Sequence, residues 1–298
     1  MSNDPNEPAK LSAEERALVV ERKAACPFIG SAVAEGHLPV LNSARDPLAS
    51  VEKVRNLGNK GGGNLGEVLM LFANGNHLFM RGDSGRLDRR VPEGLFSLDF
   101  PGSQGSHPGH SGILEDEPKM LDSGRLSEAD FARLTSLAKD GWIKRSDVGR
   151  FIARNVHEDE NARVLDKSTA LLLASDFGEV LKTGFRALLG RLFGSRKDSG
   201  ATHRDVQQKF AKLTGDDNIV GSAGEFGLLF AFLANRPGAR EIDGKPAVSV
   251  QDLKEMFIDK HLPDGWENWK KTRLDWIKNT NGLIESAREE YRALTRDK

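Results

Sequence analysis

Apolar residues in this 298-residue chain recur every three to four positions, and that spacing limits the fold more than any other feature. Leu65, Val68, Leu69 and Phe72 share one helical face, and Val250, Leu253, Phe257 and Ile258 share another. Alternating apolar and polar runs are short, and runs of β-branched residues are absent, so strand signals are scarce. The expectation is a mainly α protein, a single compact all-helical domain with long loops. An apolar fraction of 38% supplies enough side chains for a substantial core.

Local signals place the elements. Ser12 followed by Glu15 is a capping-box pair and predicts a helix over 13–24, running toward Cys26-Pro27-Phe28. Helices are also predicted over 48–57, 65–80, 127–138, 145–155, 168–193, 203–213, 222–234 and 248–260. A final helical region covers 269–294, with a break at 279–282 as an alternative. Residues 60–64 and 194–201 read as loops, and 94–100 has weak strand or loop character. The polar segment 1–10 is expected to be disordered, 11–268 to form the domain, and 269–298 to be a helical extension.

Charge narrows the partners. The 43 basic and 44 acidic residues nearly cancel, which gives no basis for a nucleic-acid or anionic-membrane partner. The first residues are polar and lack an apolar leader core, and no apolar run is long enough to cross a bilayer. One cysteine cannot form an internal disulfide, which suits a reducing compartment, so a cytoplasmic protein is expected.

Two residues stand out chemically. Cys26 precedes Pro27, a residue suited to the first turn of a helix. A thiolate there would meet backbone N–H groups and the positive dipole end, which lower its pKa; the plainer alternative is an inert buried thiol. Glu225 is the one charge in the apolar run from Ser222 to Leu233. A carboxyl group in such surroundings has a raised pKa and can exchange protons near neutrality; the alternative is a first-turn Glu that complements the helix dipole.

A resemblance joins them. Cys26-Pro27-Phe28, followed by Ala34-Glu35-Gly36-His37-Leu38-Pro39, resembles the N-terminal signature of the chloroperoxidase and unspecific peroxygenase family. Gly221–Leu233 is similar to the helix that carries that family's distal acid, and His261-Leu262-Pro263-Asp264-Gly265-Trp266 to its C-terminal Leu-Pro…Gly-Trp segment. The resemblance implies a heme-thiolate peroxidase-like fold and heme b held by Cys26. It also implies H2O2 as oxidant and oxidation or oxygenation of a small organic substrate. Glu225 would be the distal acid–base, and Glu179 is the second candidate for that role. Cys26 is preceded by Ala25 where the family has Pro, and Asn218 stands where one branch keeps an Arg. Pro27, Phe72, Phe226 and Leu229 would border the cofactor.

The stretch from Ser106 to Phe131 carries further candidates. The family holds a Mg or Mn ion (Ca is a further option here) near a heme propionate with acidic and Ser groups, and Leu126–Phe131 resembles the end of that motif. Either Glu115 with Asp116, or Asp122 with Ser123, would supply the ligands. His107 and His110 lie in a Gly/Pro-rich loop, and His110 is the candidate partner of the distal Glu by analogy with the chloroperoxidase branch. A different reading fits the same region. Asp122–Asp130 and Asp140–Asp147 both resemble the second half of an EF-hand loop, with Gly at position 6, an aliphatic at 8 and an acid at 12. Positions 1 and 3 are Lys119 and Leu121 in the first loop, Ser136 and Ala138 in the second, so the carboxylates Ca²⁺ needs are missing. On that reading the chain is a degenerate EF-hand-like helical binding protein; a family member that has lost its heme is a third.

Overall fold

The computed structural model describes residues 8–24, 26–66, 68–69, 94–98, 113, 126–158 and 217–296. Its first helix, α1 (Ala13–Leu18), starts where the capping box places it: Ser12 Oγ accepts from Glu15 N–H at 3.1 Å, and Glu15 returns a bond to Ser12 N–H at 2.9 Å. A π-helical turn, Val19–Lys23, ends it and leads to α2 (Pro27–Ala34), with Cys26 at the N-cap and Pro27 at the first position.

The segment 48–57 departs from expectation. Residues Pro47–Ser50 form strand β2, which pairs antiparallel with β1 (Leu41–Asn42) on one side and β3 (Leu95–Ser97) on the other. Helix α3 (Val51–Asn59) begins only after Ser50, whose hydroxyl caps it by accepting from Lys53 N–H at 3.3 Å. A 3-10 turn, Lys60–Gly62, follows. The predicted 65–80 helix is described only at its start, where Leu69 N–H donates to Leu65 C=O at 2.8 Å and Leu65, Val68 and Leu69 are buried.

Helix α4 (Glu128–Thr135) is capped by Ser127 as predicted, with its hydroxyl accepting from Asp130 N–H at 3.3 Å. Strand β4 (Trp142–Lys144) leads directly into α5 (Arg145–Glu158). Helix α6 (Asp217–Leu233) is followed by the hairpin β5 (Arg240–Ile242) and β6 (Lys245–Ser249), then α7 (Val250–Phe257). Val248 and Ser249 are therefore strand, and the predicted 248–260 helix is shortened at both ends. A second sheet has the order β4-β6-β5, all antiparallel. A 3-10 turn, Trp266–Asn268, precedes α8 (Arg273–Arg296), which runs unbroken through 279–282.

The fold is thus mainly α, but the all-helical expectation is corrected by two three-stranded sheets. The strands are two to five residues long, and β2–β3 and β4–β6 pair across long stretches of chain, so no single run displays the alternation of a long strand. Helix α8 lies against α5 and α6, and its Leu283 and Ala287 belong to the same continuous core as Cys26, Phe28, Ile152 and Phe230. Close approach is bought with small residues: a Cβ on Gly227 of α6 would fall 2.1 Å from Thr280 Oγ1, and one on Gly149 of α5 2.8 Å from Leu283 O. Among the described residues, no helix is long and apolar enough to cross a membrane.

Candidate functional site

Helix α2 enters the core at Cys26, whose side chain is 9% exposed. The side chain makes no capping hydrogen bond, but the backbone N–H groups of Ile29 and Phe28 pull its thiol downward. Burial nevertheless pushes the thiol up to about 11, outweighing those N–H groups; the Glu225 charge adds to the rise, and Lys260 opposes it. Those N–H groups do pull the thiol down, but desolvation outweighs them, so at neutral pH the bare sulfur is a protonated thiol. A cation would have to take the proton's place for a thiolate to persist.

Glu225 lies far along the chain on α6, half-buried, yet its charge acts on the Cys26 thiol. The preceding carbonyl, Gly224 C=O, accepts from Trp276 Nε1–H of α8 at 2.9 Å, which fixes this turn of α6. Phe226 and Leu229 are buried in the same core cluster as Cys26. Cys26, Phe226 and Leu229 thus belong to the one continuous core, Pro27 follows Cys26 at the start of α2, and Glu225 acts electrostatically on Cys26, whereas Phe72, His107, His110, Glu115, Asp116, Asp122, Ser123 and Glu179 lie outside the described residues. Among the described residues, no group of three or more His, Cys, Asp or Glu side chains is placed to hold a metal ion.

Sequence reasoning missed two neighbours. Lys260 adopts a positive φ of 53°, and its half-buried ammonium is held below the ordinary lysine value by burial, with Glu21 and Cys26 pulling the other way. Beside Cys26, the Phe28 ring meets Phe232 edge-on at 5.0 Å and Trp266 at 5.4 Å. The cluster of Trp residues was visible in the sequence; its partners on α2 and α6 were not. At the end of α2, the Glu35 carboxylate accepts from His261 Nδ1–H and lies 3.6 Å from His37 Nε2. The bond to Glu35 holds His261 above the ordinary imidazole value.

The Asp140–Asp147 segment turns sharply before a strand and a helix. Asp140 and Gly141 take positive φ values of 50° and 78°, β4 follows, and α5 begins at once. Its Ile143 pairs with Val248 of β6, which itself joins α6 to α7. Val250 N–H then donates to Gly141 C=O at 2.9 Å. The β4–β6 pairing therefore joins the segment before α5 to the segment before α7 through three antiparallel residue pairs. Asp147 follows Ile143 at the same interval as Asp252 follows Val248. Both acids are engaged by arginines, Asp147 by Arg150 and Asp252 by Arg236.

Comparison with models of known protein families, with curated proteins and with solved structures returns no match to this chain.

Proposed function

We propose that this chain is a cytoplasmic heme-thiolate oxidoreductase that uses H2O2 to oxidise or oxygenate a small organic substrate. The observation that supports the reading is that the Glu225 charge, far along the sequence, acts on the buried Cys26 thiol. The Cys26 setting fits a sulfur ligand: a buried thiol with two backbone N–H groups beside it, needing only a metal cation to displace its proton. Heme b, when bound, supplies the redox chemistry. There Phe226 and Leu229 would exclude water and Glu225 would shuttle a proton between the two peroxide oxygens. By the resemblance, His110 is the candidate to orient Glu225, Phe72 a candidate to border the cofactor, and the acids at 115–116 or 122–123 the candidates for a second metal.

Reconstitution with hemin tests this. The purified protein is expected to bind one equivalent and to give a ferrous–CO absorption band at the wavelength typical of thiolate ligation. Cys26→Ala should abolish that band while leaving the circular dichroism of the helices intact, and Glu225→Gln should keep it but lose peroxide turnover by about a hundredfold or more. An unchanged spectrum in Cys26→Ala would end the proposal.

The Ile143–Val248 bridge favours a second reading, a helical binding module built on a degenerate EF-hand-like pair. Because arginines already neutralise Asp147 and Asp252, calcium at about 1 mM is expected to move the melting temperature by less than about 1 °C. A larger upward shift in a colourless protein would establish calcium binding instead.

A further inference from the structure

Lys271 is completely buried. Its Nζ donates to Trp266 C=O at 2.7 Å and lies 5.2 Å from the Trp266 ring centroid and 5.3 Å from that of Phe232. The carboxylate that could neutralise it, Glu267, is bonded to Lys60 instead. Lys60 itself lies over the Trp266 ring at 5.0 Å and presents a like charge to Lys271. A buried ammonium with one carbonyl, two ring faces and a repelling neighbour is poorly compensated. Burial first, and Lys60 second, pull Lys271 down to about 8, with Glu267 opposing. The other titratable group at this box is His37, whose ring meets Trp266 edge-on at 5.5 Å and which lies 3.6 Å from Glu35.

A strap closes the box. Asn64 N–H donates to Lys271 C=O at 2.9 Å, and Arg273 N–H donates to Asn64 Oδ1 at 2.7 Å. A Cβ on Gly61 would fall 2.2 Å from Trp269 O and one on Gly63 2.2 Å from Lys271 O, so only glycine lets the strap lie this close. Through Phe28 and Phe232 the box adjoins the starts of α2 and the end of α6.

We propose that Lys271 and its aromatic box form a proton-operated latch: the neutral amine keeps the strap 60–64 seated, and protonation loosens it. The sign follows from linkage. A base held below its ordinary value in the closed state prefers to be protonated in the open state, so opening is favoured below that lowered value and suppressed as the pH rises toward 10.5. The proposal stands independently of the heme reading.

Hydrogen exchange of the full-length protein across pH 6–10, corrected for intrinsic chemistry, reads the latch. The opening constant of the strap 60–64 and of 266–273 should fall at least tenfold as the pH rises through about 8. Lys271→Met should make it independent of pH over that range. Lys60→Met, at a half-exposed position, removes the like charge and frees Glu267, so the midpoint should move upward. A wild-type profile without a transition, a transition that survives in Lys271→Met, or a midpoint unmoved in Lys60→Met would each overturn the proposal.

Discussion

Replacing Trp276 by alanine should lower the stability of the fold by about 4 kcal/mol, the cost of emptying a large buried site that cannot fully collapse. Trp276 is fully buried on α8 and is among the bulkiest side chains in the core. Its indole N–H also donates to Gly224 C=O, so truncation removes a hydrogen bond as well as a ring system. Trp276→Phe keeps most of the packing and gives up the donor, and should cost about 1–2 kcal/mol. Urea denaturation separates the two: a falling midpoint at constant slope reports lost stability. A midpoint in Trp276→Ala within error of wild type would mean that α8 does not dock on α6 as described.

The second large effect is expected at Arg236. Asp252 is buried, and Arg236 is the cation bonded to it. Burial raises the Asp252 carboxyl above its ordinary value; the hydrogen bond and charge of Arg236 pull it back, and Glu255 pushes it further up. Asp252 Oδ2 has no partner of its own, so nothing replaces the guanidinium once it is removed. Arg236→Met should cost about 3 kcal/mol at pH 7. For an acid whose folded value is raised, the native state binds more protons than the unfolded chain above the ordinary carboxylate value. The penalty is therefore largest at neutral pH and should shrink as the pH falls through the folded value and Asp252 takes up a proton. A penalty that does not shrink on acidification below neutral pH would contradict this account.

The sequence exposed what is local and hid what is not. Ser12, Ser50 and Ser127 all cap helices through their own hydroxyls; the cap and period signals at Ser12 and Ser127 were readable, but Ser50 was absorbed into an overlong helix. Its strand, Pro47–Ser50, exists because Leu48 and Ala49 pair with Ser97 and Phe96, partners that no local pattern names. The same holds for Val248, strand rather than helix because Ile143 lies opposite. At the candidate site, residue types and order suggested that Cys26 and Glu225 belong together. The sequence left Cys26 between a helix-end thiolate and an inert buried thiol; burial by the packed core decides for the latter in the bare protein. Lys260 and Lys271 were illegible, since lysines are ordinarily solvated and only tertiary structure buries them.

The Ile143–Val248 bridge ties together strands separated by roughly a hundred residues of chain. Closing so long a stretch is an entropic toll that grows only logarithmically: doubling its length adds about 0.6 kcal/mol. Lengthening the chain between these two strands therefore adds little to the cost of closing it, provided the strands still meet. The same connectivity makes folding wait on a rare long-distance encounter, so refolding should be slow for a protein so rich in helix.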